Sequence, residues 1–232
     1  MTAARVLVVG ARGAIGTAIV DTFEQRGWTV LPGTHAPRAG ETDGPWVDVS
    51  DPAWAVGVAE GGPLDAVVFA QGANTSGAIE ETTTADLDEM WQANVVVIAE
   101  LMRGLLEQRG LADPSRIVVI SSVWQDLARA GKVAYTTSKA AVGGLVRALA
   151  VELAPEGVLV NAVLPGVLDT PMTRAHLSPE SIARVTDDTP AGRLATVDDV
   201  ARATYWLASD DNTGVTGESI TVDLGWTVAR RV

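Results

Sequence analysis

Short apolar runs alternate along this chain with longer stretches in which apolar residues recur every three or four positions. The runs are Arg5 to Val9, Gly27 to Leu31, Trp46 to Val49, Asp65 to Ala70, Arg116 to Ile120, Val158 to Leu164 and Glu218 to Asp223. Most are continuously apolar, as strands buried on both faces are. Between them, Ile19, Val20 and Phe23 mark one helix, and Asp51-Pro-Ala-Trp opens another with Asp at its cap. A long helix is expected from near Thr84 through Asn94 to Leu106, a second from about Val133 to Leu153, and a third from Thr196-Val-Asp-Asp199 to Leu207. Residues 32–38 (P-G-T-H-A-P-R) are a breaker-rich loop that leaves no room for a helix before Trp46. Leu168 to about Asp188 lacks clear periodicity and reads as a lid-like segment with a short helix.

Strands alternating with helices predict an α/β fold: one doubly wound, Rossmann-type parallel sheet of about seven strands, with helices on both faces. No repeat, low-complexity tract or linker divides the chain, so residues 1–232 are expected to form a single dinucleotide-binding and catalytic domain. The 133–153 helix is apolar or small nearly all round. It should pack on the sheet with one face and on a second subunit with the other, as a homodimer or homotetramer.

Composition narrows the partners. The net charge of −12 disfavours nucleic acid and anionic membrane. With no Cys there are no disulfides or thiolate chemistry, which fits a reducing compartment. The two imidazoles, His35 and His176, stand in no metal-ligand pattern, so no metal is expected. No signal peptide and no membrane-length apolar stretch is visible, and a soluble cytoplasmic protein is expected.

The chemistry gathers at strand ends. Tyr135 and Lys139 are four residues apart, on one face of the expected helix. A cation beside a phenol favours the phenolate, and a shift of roughly 3 units would make Tyr135 a proton donor and acceptor near neutral pH. Ser122, thirteen residues upstream and just past a strand end, could hold a carbonyl oxygen jointly with that phenol. After the first strand comes Gly10-Ala-Arg12-Gly13-Ala-Ile15-Gly16, followed by a helix. This is the context of a dinucleotide-binding loop, whose glycines admit a pyrophosphate to a helix N-terminus. No acid ends the second strand to bond a ribose 2′-OH. Thr34, His35, Arg38 and Arg12 could meet a 2′-phosphate instead, favouring NADP(H) over NAD(H). In such a sheet the ligand lies beyond the carboxyl ends of the strands, where the glycine loop, Gln71, Ser122 and Pro165 all fall.

Order and spacing together resemble the short-chain dehydrogenase/reductase family along nearly the whole chain. The carriers are the glycine loop, Asp48-Val49, Asn94-Val95, Ile120-Ser-Ser122, Tyr135-x-x-x-Lys139, Asn161-Ala-Val-Leu-Pro165-Gly166, Thr170-Pro-Met172, and Thr216-Gly217 with Val222-Asp223. The resemblance implies a catalytic tetrad of Asn94, Ser122, Tyr135 and Lys139. In it Tyr135 exchanges a proton with the substrate oxygen and Ser122 orients that oxygen. Lys139 lowers the phenol pKa and holds the nicotinamide ribose, and Asn94 keeps a water chain in place. It also implies that Asp48 bonds the adenine amino group and that Leu168 and Thr170 hold the carboxamide, with Val49, Ala70, Gln71, Gly72, Pro165 and Gly166 among the cofactor contacts.

The chain departs from the family pattern in places. Ala14 replaces the middle glycine of the loop, and Ala70-Gln71-Gly72 stands for the usual Asn-Ala-Gly. Trp124-Gln125 occupies a position where family members contact substrate, and the last strand ends Asp223-Leu-Gly225. Val123, Trp124, Gln125 and Val167 suggest an apolar or aromatic substrate pocket. The expected activity is hydride transfer between a nicotinamide and a small-molecule ketone or secondary alcohol. Two alternatives stand beside it: a non-catalytic dinucleotide sensor or subunit, and a 3-oxoacyl-thioester reductase whose acidic carrier would meet Arg129 and Lys132.

Overall fold

A computed structural model describes residues 3–34, 46–170, 173–174 and 177–229. The strands are β1 (Arg5–Val9), β2 (Thr29–Thr34), β3 (Val47–Asp48), β4 (Leu64–Phe69), β5 (Leu111–Ile120), β6 (Val158–Pro165) and β7 (Ser219–Val222). They form one sheet of seven strands in the order β3-β2-β1-β4-β5-β6-β7. Every adjacent pair is parallel. The helices are α1 (Ala14–Glu24), α2 (Trp54–Glu60), α3 (Thr84–Trp91), α4 (Val97–Glu107), α5 (Val133–Leu153), α6 (Pro179–Asp188) and α7 (Val197–Ala208).

The pleat of β1 explains the continuous apolar run. Leu7 and Val9 point into a core shared with Ile98, Leu105, Val142 and Val146 of α4 and α5. Val6 and Val8 point the other way, among Ile19 and Phe23 of α1 and Val200 and Leu207 of α7. A strand covered on both faces must be apolar at every position. The chain order reverses between β1 and β4, and that reversal opens a crevice at their carboxyl ends.

Several boundaries differ from the sequence expectation. Strand β2 continues through Pro32 and Gly33 to Thr34, because the backbone N–H groups of Gly10 and Ala11 both turn back onto the Gly33 carbonyl. Asp51 is not the cap of α2. Its Oδ1 accepts from the Ala53 N–H at 2.9 Å in a preceding turn, and the helix begins at Trp54 without a side-chain cap. The cap of α3 is Thr83, which forms a reciprocal capping box with Asp86. The long helix through Asn94 is broken by a π turn at Gln92–Val96. Strand β5 begins five residues before the apolar run, at Leu111, and includes a cis peptide bond at Asp113-Pro114. Helix α5 matches its expected span, with Val142, Val146 and Leu153 on the sheet and Ala140, Ala148 and Val151 exposed. The interval expected to hold no helix, residues 35–45, lies outside the described residues, as do His35 and Arg38.

Leu7 has no exposed surface and sits mid-strand. Leu7→Ala should lower unfolding stability by about 2–5 kcal/mol in a denaturant titration.

Candidate active site

The first β-strand delivers the glycine turn to the crevice. Gly10 has φ +82°, and a Cβ there would lie 2.6 Å from the Gln71 nitrogen. A Cβ on Gly16 would lie 2.2 Å from the Gly10 carbonyl oxygen. Both positions require glycine, one for its backbone angle and both for close approach. At Gly13, by contrast, a Cβ would meet only the Gly10 oxygen, at 3.5 Å. Gly13 precedes α1 with no side-chain cap, and no acidic residue sits in the first turn of that helix. Its free N–H groups and positive dipole end therefore face the crevice. Ala14, the departure from the family loop, is the first residue of α1 and leaves this turn intact.

On the other side of Gln71 lie the four expected catalytic residues. The π turn places Asn94 inward, where it is 1% exposed. Its Nδ2 donates to the Ser138 Oγ at 2.9 Å and to the Ala73 carbonyl at 3.1 Å. Its Oδ1 accepts from the Ala73 N–H at 3.0 Å. Ser138 in turn donates to the Tyr135 carbonyl at 2.8 Å. Lys139 Nζ donates to the Ile120 carbonyl at 3.4 Å and lies 5.7 Å from the centre of the Tyr135 ring. A Cβ on Gly72 would fall 2.8 Å from Asn94 Oδ1 and 3.5 Å from Lys139 Nζ, so only a bare backbone passes there. Ser122, two residues past the end of β5, accepts from the Trp124 N–H at 3.3 Å, and its hydroxyl lies near enough to the phenol to favour the charged form. The structure thus brings Asn94 and Lys139 to the Gly72 backbone, with Tyr135 beside Lys139 and Ser122 near the phenol.

The acidities differ from the expectation. Burial pushes the Tyr135 phenol above its usual value, and the Ser122 hydroxyl opposes this only in part. Burial also lowers Lys139, to about 8. Desolvation disfavours the charged form of both groups.

The remaining expected residues are dispersed around this centre. Thr34 is buried at the end of β2, and the Arg12 guanidinium lies 4.9 Å over the Trp46 ring, next to β3. Asp48 Oδ1 accepts from both the N–H and the hydroxyl of Ser50, and Val49 is in the core. Pro165 ends β6. A Cβ on the following Gly166 would lie 2.7 Å from the Asp223 Cβ. Leu168 is buried and bridges to Ala195, and Thr170 Oγ1 accepts from the Thr173 N–H at 3.1 Å. The expected substrate residues divide. Val123 belongs to the core, and Gln125 turns inward to Ser219 Oγ at 3.0 Å and against Gly143. Trp124 is partly exposed and meets Trp226 edge-on at 6.0 Å, while Val167 stays partly exposed in the loop after β6. Sequence reasoning missed Ser138, whose only signal was its place beside Lys139. It also missed Trp226, which no local pattern connects to Trp124.

A family model described as Enoyl-(Acyl carrier protein) reductase matches residues 47–227. A solved structure of a short chain dehydrogenase/reductase family oxidoreductase from Burkholderia thailandensis superposes with a TM-score of 0.87. It is 28% identical and covers 100% of this chain and 95% of its own. The chain belongs to the short-chain dehydrogenase/reductase family. Among its relatives, the 3-oxoacyl-[acyl-carrier-protein] reductase FabG of Salmonella typhimurium (strain LT2) is 32% identical over 234 residues, 94% of this chain and 95% of that one. The structure of a putative NAD(P) dependent gluconate 5-dehydrogenase from Beutenbergia cavernae, with bound NADP, is 31% identical. Its TM-score is 0.85, covering 99% of this chain and 98% of that one.

The residues present fit a nicotinamide dinucleotide, the cofactor of this family. The glycine turn offers a cradle that a Cβ at Gly10 or Gly16 would destroy. A cavity of about 460 Å³ lies on the side of the π turn and α4, bordered by Gln71, Gly72, Ala73, Gln92, Ala93, Val97 and Glu100. Both amide atoms of Gln71 are buried without a hydrogen-bond partner among the described residues. An unpaired buried amide costs about 1–3 kcal/mol, which a polar ligand at this end would recover. Among the described residues, no group of acids or histidines could hold a metal, and no helix is long and apolar enough to cross a membrane.

The depressed Lys139 pKa fixes the sign of a stability test. Between about 8 and 10.5 the unfolded chain binds the proton that folded Lys139 has lost, so this group makes stability rise with pH there. Below that window the buried charge destabilises the fold. Lys139→Met should raise the Tm at pH 7, and the gain should vanish as pH rises through the window.

Proposed function

We propose that this oxidoreductase is NADP(H)-dependent and moves a hydride between the nicotinamide and a ketone or secondary alcohol, with Tyr135 as general acid and base. The gathering of Asn94 and Lys139 at the bare Gly72 backbone, with Tyr135 beside Lys139 and Ser122 near the phenol, carries this reading. The bound nicotinamide supplies the hydride or accepts it. Tyr135 donates a proton to the carbonyl oxygen during reduction and takes one from the hydroxyl during oxidation. Ser122, beside the phenol, shares that oxygen and fixes its position. Lys139 stabilises the phenolate that reduction leaves behind. Asn94 holds α5 and the 72–73 backbone at a set spacing, so the donor and the oxygen meet in one geometry.

The preference for NADP(H) is supported by the residues at the end of β2. It closes with Thr34 and not with an acid, and Arg12 stands over Trp46 beside β3. An arginine suits a 2′-phosphate, whereas an acid would repel it. His35 and Arg38 remain candidates for the same contact. The bound NADP in the Beutenbergia structure agrees. Asp48, Val49, Ala70, Gln71, Pro165, Gly166, Leu168 and Thr170 are proposed to complete the cofactor site, and residues 1–232 to act as one catalytic domain in the cytoplasm.

A second reading, reduction of a 3-oxoacyl thioester on a carrier, is favoured by the relationship to FabG and by Arg129, which lies 5.9 Å over the Trp124 ring. Either way the partner is a carbonyl or alcohol substrate, not nucleic acid or membrane. The exposed side of α5, where Val151 is 79% exposed, supports a homodimer or homotetramer.

Ligand-induced thermal shifts test the cofactor assignment. Saturating NADPH should raise the Tm by several degrees, since a hundredfold excess over Kd adds about 2.7 kcal/mol. NADH should raise it much less. NADPH oxidation should then follow with members of a ketone panel. An equal or larger shift with NADH contradicts the NADP(H) assignment, and oxidation by no carbonyl compound contradicts the reductase.

A further inference from the structure

The chain has 17 basic residues, yet only Lys132 and Lys139 are lysines. Both ammonium groups lie close to one ring: Lys132 Nζ is 5.6 Å and Lys139 Nζ 5.7 Å from the centre of Tyr135. The function proposed above uses Lys139. It gives Lys132 no role in the chemistry.

Lys132, immediately before α5, is held in a fixed place. Its three N–H bonds match three acceptors: Asn74 Oδ1 at 2.7 Å, Ser76 Oγ at 2.8 Å and the Thr75 carbonyl at 3.0 Å. The segment that supplies them is anchored at both ends. Ala73 pairs with the Asn94 amide, and the Gly77 N–H donates to the Gly131 carbonyl at 3.1 Å. The cup is therefore built onto the same Asn94 that positions the catalytic helix. All three acceptors are uncharged, so they orient the ammonium without neutralising it. Among the described residues neither lysine forms an ion pair.

The other groups facing this region do not cancel the charge. On the strand-end side of α5 stands Ser122, and Asp126 follows it, near the Gln125 amide. Arg129, in the loop before Lys132, adds a further positive charge. From the π turn comes Asn94, which is neutral. Helix α3, which packs on α5, carries Asp86, occupied by its own capping box, and the exposed Asp88 and Glu89. A cation over an aromatic ring stabilises the phenolate more than the phenol.

We propose that Lys132 is a positioning residue for proton transfer at Tyr135: held over the ring by Asn74, Thr75 and Ser76, its ammonium supplies a second positive charge that, jointly with Lys139, sets the acidity of the phenol. The proposal rests on the reading of Tyr135 as the acid and base. Burial disfavours the charged form of Tyr135 and of Lys139, and Lys132, itself held below the ordinary lysine range by partial burial and Arg129, adds a second cation beside the ring.

The chain has only two tyrosines, so 3-fluorotyrosine labelling should give two ¹⁹F resonances, and Tyr205→Phe assigns Tyr135. The labelled full-length protein is titrated in four forms: wild type, Lys132→Met, Lys132→Arg and Asn74→Ala/Ser76→Ala. Lys132→Met should raise the Tyr135 midpoint by about one pH unit, or carry it beyond the onset of unfolding where the wild type still titrates. Lys132→Arg should stay within about 0.3 unit of wild type, and the double variant should fall between. The phenol-dependent limb of the kcat/KM pH profile should move in the same direction. A Tyr135 midpoint unchanged in Lys132→Met overturns the proposal and leaves Lys132 as a strap for the 73–77 segment. So does a wild-type phenol as resistant to titration as the variant's. The midpoints are read without turnover, so they stand or fall separately from the catalytic reading of Tyr135.

Discussion

The amide of Asn94 is the contact on which the site depends. One side chain closes two hydrogen bonds on the Ala73 backbone and reaches Ser138 on α5. It therefore sets the distance between the loop after β4 and the helix carrying Tyr135 and Lys139. An Asn in a regular helix could not be aimed this way from position 94 while α3 and α4 kept their packing. The π turn inserts the extra residue and rotates the amide inward. Loss of the amide would leave the part-buried Ala73 N–H and carbonyl without their Asn94 partner and take one hydrogen bond from Ser138, whose hydroxyl still donates to the Tyr135 carbonyl.

Around this contact the molecule tolerates costs that a purely structural core would avoid. Lys139 is buried, bonded to one carbonyl at 3.4 Å, and its pKa falls to about 8. The phenol is pushed upward by the same desolvation. Gly10 and Gly16 give up side-chain packing so that backbone can lie on backbone, and Gly72 does so beneath Asn94 and Lys139. These are the marks of a site arranged for charge that appears only during reaction. The sheet carries the cost: β1 and β4 are buried over nearly their whole length, and both cores converge on them.

Much of this was legible in the residues. Short runs marked all seven strands: β1 and β4, covered on both faces, had no polar residue at a buried position to disguise them, whereas the half-buried β7 mixes polar and apolar residues. Tyr135 and Lys139 were legible because a four-residue spacing has one meaning on a helix. What failed had physical causes. Strand β2 runs past Pro32 and Gly33 because the glycine turn lends it hydrogen bonds, a tertiary effect. The Asp51 cap was displaced into a turn of its own. The phenol acidity was misjudged because spacing reports proximity of a cation, whereas burial is a property of the whole fold. The roles of Ser138, Trp226 and the 74–76 acceptors depend on contacts between residues far apart in sequence. No periodicity encodes those. The separation of Val123 and Gln125 from Trp124 turns on a three-residue 3₁₀ turn that reverses which side chains face outward.

The central claim is that the Tyr135 hydroxyl performs the proton transfer and does not hold the cofactor. The most direct measurement pairs NADPH affinity with turnover in Tyr135→Phe. The account predicts a Kd within about threefold of wild type and turnover lower by at least about 10²-fold, the usual worth of a positioned acid–base group. Turnover near the wild-type rate with binding intact would contradict it.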